Sequence, residues 1–247
     1  MLTLEIVGEG ATTKIYRDGG KAIKLYVNAP PNEVENEAKL QTFAAKAGLP
    51  VPVVFGVREI DDSMTALDME YIPGKPIMQE RMDKEERRDA IVTLAKLQCM
   101  VHAINADGLP KQVDRLAWKI GQNTHIEQPM KDKLLSLFNR LDTGANRLCH
   151  GDFHPLNILY DGNKHWIIDW VDTTAGNPLA DACRTYLIFK QFMTRSAGIY
   201  LRCFCEAAGV KQEDILAWMP IIAAARLSEN MDDKARAMVW KTIDEFV

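Results

Sequence analysis

The sequence contains few cysteines, no long apolar run and no excess of basic charge. Its five cysteines form no Cys-x-x-Cys pair, which indicates reduced thiols and predicts a cytoplasmic protein. Its beginning lacks the charged and apolar regions of a signal peptide, and no apolar stretch is long enough to span a bilayer. A net charge of -4 argues against nucleic-acid and membrane partners, because both would attract a basic surface.

The composition is that of an ordinary globular protein. Hydrophobic residues make up 47% of the chain and charged residues 26%, which excludes disordered and fibrous classes. A length of 247 residues is sufficient for one large domain or for two smaller lobes, each with its own core.

The first 72 residues alternate extended segments with glycine-containing turns. The pattern predicts strands at residues 2–7, 14–17, 22–26, 51–56 and 64–72. Between the third and fourth strands, helix formers from Glu33 to Ala47, ended by Gly48, predict one helix. Pro73-Gly74 is a turn signal, so we expect a lobe boundary there.

The rest of the sequence is mainly helical in its pattern. Apolar periodicity predicts helices at residues 84–103, 112–121, 130–141, 179–194, 197–208, 213–229 and 232–246. One hairpin interrupts them, with strands at residues 157–160 and 165–169 around the turn Asp161-Gly162-Asn163.

This hairpin brings oxygen-bearing side chains together. Asn157 starts its first strand and Asp169 ends its second, so antiparallel pairing predicts that an amide and a carboxylate lie side by side. Mg²⁺ prefers oxygen ligands and needs only a few from the protein, so the sequence predicts a magnesium site. Asp152, on the segment leading into the hairpin, is expected to supply a third oxygen group nearby.

The segment from His150 to Asn157, followed by Ile168-Asp169-Trp170, resembles the catalytic loop and metal-binding segment of aminoglycoside phosphotransferases. That family shares the protein-kinase-like fold with choline and homoserine kinases. Gly8-Glu9-Gly10 is similar to its glycine-rich nucleotide loop, Ala22-Ile23-Lys24 to its lysine strand, and Met69-Glu70-Tyr71-Ile72 to its hinge.

The resemblance implies a two-lobed α+β fold. Residues 1–72 would form a nucleotide-binding lobe with an antiparallel sheet and one helix, and residues 73–247 a helical lobe with the catalytic loop and the acceptor site. It also implies a small-molecule kinase that uses ATP or GTP and Mg²⁺ to phosphorylate a hydroxyl group.

The catalytic roles implied by the resemblance fall on four residues. Asp152 would orient the acceptor hydroxyl and accept its proton, while Asn157 and Asp169 would hold Mg²⁺ against the phosphates. Lys24 would neutralise phosphate charge.

Other residues are expected to surround the nucleotide. Ala22 and Lys24 share one face of a strand by alternation, with Ile15 and Val7 covering the base. Glu37 is the expected partner of Lys24, and Glu33, one turn earlier, is the alternative. Further nucleotide contacts are assigned to the glycine loop and the hinge, namely Gly8, Gly10, Met69, Glu70 and Ile72.

Three alternative functions fit parts of the pattern. A zinc hydrolase would use His150, Asp152 and His154, but the remaining histidines form no second cluster. A pseudokinase that serves as a partner-binding module is disfavoured by the presence of all four catalytic groups. A protein kinase is disfavoured because glycine stands at position 151, where protein kinases carry arginine.

The acceptor is expected to be a small hydroxylated molecule, with a cationic molecule as the narrower expectation. Carboxylates late in the sequence would attract an amine-bearing ligand if several of them faced it: Glu213, Asp214, Glu229, Asp232, Asp233, Asp244 and Glu245. The alternative for most of these carboxylates is a solvated acidic surface.

Overall fold

A computed structural model of the chain describes residues 5–9 and 13–246. The chain forms two compact units. The first comprises the described residues up to Gln79 together with Leu156–Val171, and the second comprises Glu80–Pro155 and the described residues from Asp172 onward. The fold is α+β, as predicted, with an antiparallel sheet in one unit and mainly helices in the other. The lobe boundary at residues 72 and 73 stays a prediction.

The first unit is built on a five-stranded antiparallel sheet. Its strands are β1 (Glu5–Glu9), β2 (Thr13–Asp18), β3 (Lys21–Val27), β4 (Val54–Asp61) and β5 (Met64–Glu70), in the order β1-β2-β3-β5-β4. The helix α1 (Pro31–Lys46) connects β3 to β4 and packs on β4 and β5. Residues 2–4 of the first predicted strand lie outside the described part of the chain.

A small second sheet completes this unit. It contains β6 (Lys75–Pro76), β8 (Ile158–Tyr160) and β9 (His165–Ile167), with β8 in the middle. The two hairpin strands are shorter than predicted. Asn157 ends a 3-10 turn (Pro155–Asn157), and Asp169 has a φ of 66°, a backbone conformation that cannot continue a strand.

The second unit consists of eight described helices and one short strand pair. The helices are α2 (Lys84–His102), α3 (Gln112–Gln122), α4 (Gln128–Phe138), α5 (Pro178–Phe192), α6 (Thr194–Ala208), α7 (Gln212–Leu216), α8 (Met219–Arg226) and α9 (Asp233–Phe246). β7 (Arg147–Cys149) pairs with β10 (Thr174–Gly176). Among the described residues, no helix combines the length and the apolar character needed to cross a membrane.

Local sequence explains where α2 begins and where α7 ends. Asp83 accepts hydrogen bonds from the amides of Glu85 and Glu86, and the Glu86 side chain accepts one from the Asp83 amide, which forms a capping box at α2. The prediction of a single helix at residues 213–229 is wrong, because this segment forms the two helices α7 and α8. α7 ends at Leu216 because Pro220 lacks an amide hydrogen and its ring would clash with the carbonyl four residues earlier.

Candidate active site

Lys24 is a buried cation on the central strand β3. Its ammonium nitrogen lies 2.7 Å from Oε1 of Glu37 and 2.8 Å from Oδ1 of Asp169. Burial opposes the charged form, but the two carboxylates outweigh it and raise the pKa of Lys24 above its usual range. The Lys24 ammonium is therefore charged at neutral pH.

Glu37 reaches Lys24 from the middle of α1, as its position in the sequence predicted. Its side chain is 1% exposed, and its second carboxylate oxygen accepts a hydrogen bond from the Tyr26 hydroxyl. The alternative partner, Glu33, is exposed in the first turn of the helix. A buried carboxylate needs such partners because desolvation without them would be costly.

Asp169 and Asn157 lie at the open end of the β8-β9 hairpin. The register of the hairpin places Asn157 opposite Ile168, whose amide donates to the Asn157 carbonyl at 3.0 Å. The predicted side-by-side arrangement of Asn157 and Asp169 is therefore offset by one residue. The Asp169 side chain is 37% exposed, so its carboxylate remains open to a ligand while it contacts Lys24.

Several residues that the sequence predicts to contact the nucleotide share one face of the main sheet. The register pairs Gly8 with Ile15, Ile15 with Lys24, and Ala22 with Met69. Directly opposed residues in an antiparallel pair point to the same face. A Cβ atom at Gly8 would lie 3.3 Å from the Ile15 side chain, so glycine leaves space above that face.

Of the two remaining residues predicted for the glycine loop region, Val7 and Gly10, the structure describes Val7. The β1-β2 register shifts between Ile6 and Gly8, which puts Val7 in a bulge with an exposed side chain. Gly10 lies outside the described residues.

The predicted hinge residues lie at the end of β5 and immediately after it. Met69 is half-buried, and the Gln41 amide nitrogen lies 3.6 Å from its sulfur. Glu70 donates its amide to the Val53 carbonyl at 2.8 Å and accepts the Val53 amide on its carboxylate at 3.2 Å. Ile72 is buried immediately afterwards. This segment is thus tied to the start of β4, and its contact with a nucleotide stays a prediction.

Asp152 lies in the second unit, on the loop after β7. Its Oδ2 is 3.1 Å from Nε2 of His154, and its Oδ1 is 3.4 Å from a guanidinium nitrogen of Arg184. Burial would raise the pKa of Asp152, but the hydrogen bond from His154 and the positive charges of Arg184 and the histidines lower it. Asp152 is consequently a carboxylate, the form that can accept a proton.

The backbone of this loop is fixed by side chains of α5. Asp181 accepts the Gly151 amide at 2.8 Å, and the Thr185 hydroxyl donates to the Phe153 carbonyl at 2.9 Å. Asp181 is itself held by His102, whose Nε2 lies 2.9 Å from its second oxygen. Asp181 therefore anchors the backbone of the loop that carries Asp152.

Gly151 is required by the shape of the loop. Its φ is 83°, and a Cβ atom there would lie 2.3 Å from the carbonyl oxygen of Asp172. The glycine that distinguishes this loop from that of protein kinases therefore allows two backbone segments to approach each other closely.

Sequence reasoning missed Arg184 and misjudged Glu229. The Arg184 guanidinium lies 2.8 Å from Oε1 of Glu229, which also contacts Lys119 at 2.9 Å and the guanidinium of Arg226. Arg184 stands three residues after Asp181, so helical spacing would have placed it on the same face of α5. Nothing in the local sequence indicates the pairing with Glu229, 45 residues away.

Comparison with known proteins identifies the family to which the chain belongs. Residues 3–214 match the family model described as "Phosphotransferase enzyme family". A mouse protein, acyl-CoA dehydrogenase family member 10, is 26% identical over 185 residues, which cover 64% of this chain but only 17% of the mouse protein. The aminoglycoside 3'-phosphotransferase of Streptomyces ribosidificus is 27% identical over 195 residues, 69% of this chain and 73% of that enzyme.

The fold has a close structural counterpart. A thermostable mutant of aminoglycoside phosphotransferase APH(4)-Ia, solved as a ternary complex with AMP-PNP and hygromycin B, superposes with a TM-score of 0.74 at 17% identity. The match covers 99% of this chain and 93% of that one. The chain belongs to the phosphotransferase enzyme family.

Proposed function

We propose that this protein is a small-molecule kinase that transfers the γ-phosphoryl group of ATP or GTP to a hydroxyl group of a small acceptor. The observation that carries the proposal is the buried ammonium of Lys24, kept charged by Glu37 and Asp169. The structural counterpart that binds AMP-PNP and hygromycin B supports a nucleotide and a small-molecule acceptor.

The triphosphate is the ligand that such an ammonium suits best. Lys24 offers a fixed positive charge to phosphate oxygens, and its contact with Asp169 keeps it oriented before the nucleotide binds. The base would lie against the sheet face that carries Ala22 and Ile15, beside the glycines at positions 8 and 10. The hinge residues Met69, Glu70 and Ile72 would contact its edge.

Asn157 and Asp169 are the residues that we propose as magnesium ligands. An amide oxygen and a half-exposed carboxylate are hard donors of the kind that Mg²⁺ binds, and two protein ligands leave room for phosphate oxygens and water. The ion would offset the negative charge of the phosphates. The residues present therefore fit the expected metal.

Asp152 is proposed as the base of the transfer. The acceptor hydroxyl gives its proton to the Asp152 carboxylate as its oxygen forms the new bond to the γ-phosphorus. The bond between that phosphorus and the bridging oxygen breaks, and the nucleoside diphosphate leaves. The contact between Asp152 and His154 orients the carboxylate for this step.

The charge of the acceptor is a separate part of the proposal. Glu229 does not offer its charge to a ligand, because it is paired with Arg184, Lys119 and Arg226. The cationic character of the acceptor therefore rests on the other late carboxylates, which are all exposed: Glu213, Asp214, Asp232, Asp233, Asp244 and Glu245.

A nucleotide-consumption screen tests the proposal directly. The purified protein is incubated with MgATP or MgGTP and with aminoglycosides, choline, sugars or amino alcohols, and diphosphate release is measured. We expect release that depends on one acceptor class and that Asp152→Asn abolishes while nucleotide binding persists. Acceptor-dependent release that is unchanged in Asp152→Asn would contradict the role of Asp152.

A further inference from the structure

Arg184 connects three parts of the second unit through one buried guanidinium. Its Nε donates to the Gly151 carbonyl, its Nη1 lies 2.8 Å from Glu229, and its Nη2 lies 3.4 Å from Oδ1 of Asp152. Its side chain is 13% exposed. A guanidinium is a rigid planar fork, so contacts on several nitrogens fix its orientation completely.

The two carboxylates share this guanidinium unequally. Glu229 takes the short contact at 2.8 Å, whereas the contact to Asp152 is 3.4 Å. Burial opposes the charged form of Glu229, but the positive charges of Arg184, Lys119 and Arg226 outweigh it and lower the pKa of Glu229 to about 2. Arg184 is therefore held in place without the help of Asp152.

A loose contact has a chemical advantage for a base. A tight bidentate pair with arginine would occupy one lone pair on each carboxylate oxygen and would lower the pKa of Asp152 further than the present contact does. At 3.4 Å, Arg184 can limit the rotation of the Asp152 side chain while His154 holds the other oxygen. Both oxygens are oriented, and neither is locked in a short ion pair with arginine.

We infer that Arg184 is a positioning residue for phosphoryl transfer, which acts through Asp152 and is anchored by Glu229. This inference rests on the proposed role of Asp152. Arg184 does not touch the reacting atoms; it keeps the carboxylate aimed at the acceptor hydroxyl. A misplacement of a catalytic group by about 1 Å can cost on the order of a hundredfold in rate, so such a residue has a measurable effect.

The test is a double-mutant cycle on MgATP hydrolysis without acceptor, in which water takes the phosphoryl group. Arg184→Gln should lower kcat about ten- to a hundredfold and change the dissociation constant of MgATP less than about twofold. In an Asp152→Asn background the same substitution should cause no further loss, because the group through which it acts is already gone. A multiplicative loss in the double variant would overturn the inference.

Further variants keep the test decisive if Arg184→Gln folds poorly. Glu229→Gln should lower kcat in the wild-type background but not in the Arg184→Lys background, and equal losses in both would also overturn the inference. Arg226→Gln is the matched control, because Arg226 is a cationic partner of Glu229, whereas the guanidinium that contacts Asp152 is that of Arg184. This substitution should lower kcat less than Glu229→Gln does. If the Asp152→Asn variant hydrolysed MgATP at the wild-type rate, the proposed role of Asp152 would be refuted. Failure of that role is thus distinguishable from failure of the inference about Arg184.

Discussion

The ammonium of Lys24 lies within 2.8 Å of a carboxylate oxygen of Asp169, although 145 residues separate them in the sequence. With Glu37 on its other side, the lysine forms a buried group in which one cation faces two anions. Removing the cation alone would leave the Glu37 carboxylate buried without its ammonium partner, and breaking a buried ion pair in this way is strongly destabilising.

Lys24→Met is therefore expected to lower the free energy of unfolding by about 3–5 kcal/mol, as removal of one partner of a buried pair does. The double variant Lys24→Met/Glu37→Gln should recover part of this loss, because the buried negative charge is removed as well. Denaturant unfolding of both variants measures this difference. Nucleotide binding should be weak in both, and wild-type affinity in the double variant would exclude Lys24 from the nucleotide site.

The proposed metal ligands should differ in importance. Asp169→Asn should reduce magnesium-dependent nucleotide binding more than Asn157→Ala, because only a carboxylate carries the charge that offsets the ion. Asparagine is the appropriate replacement at 169, since it tolerates a φ of 66° better than alanine. Calorimetric titrations with and without magnesium provide the measurement. Equal metal dependence in the wild type and in Asp169→Asn would contradict the assignment.

Gly151 and Gly162 form a natural comparison. Both have positive φ values, 83° and 96°, but only Gly151 of the two is crowded, because a Cβ atom there would lie 2.3 Å from the carbonyl oxygen of Asp172. Gly162→Ala should cost about 1 kcal/mol from backbone strain alone. Gly151→Ala should cost clearly more and should also lower turnover, because the loop that carries Asp152 must move. Similar melting temperatures for the two variants would show that the loop has room to adapt.

The sequence predicts those parts of the fold that depend on local signals. The Asp161-Gly162-Asn163 turn predicted the hairpin, and the middle of α1 was the right place for the partner of Lys24. The break between α7 and α8 was missed because apolar periodicity continues across it, although Pro220 marks it.

Long-range pairing is what the sequence could not predict. Glu229 was expected to attract a cationic ligand, yet its charge is used by cations from α3, α5 and α8. A charged residue in a helical pattern has the same local signature whether it faces solvent or a buried arginine. Only the packing of distant helices distinguishes the two.

The charge of the acceptor can be tested by measuring how its KM depends on salt concentration. Because the charge of Glu229 is compensated by its three cationic partners, the exposed late carboxylates are the ones left to attract a cationic acceptor. Attraction between exposed charges is screened over about 10 Å at 0.1 M salt. If the acceptor is cationic, its KM should rise severalfold between low and high ionic strength while kcat changes little. The KM of the acceptor found in the screen is measured across that range, with the KM of MgATP followed as a control for general salt effects. A salt-independent KM, or a neutral or anionic best acceptor, would refute the cationic version and leave the kinase assignment intact.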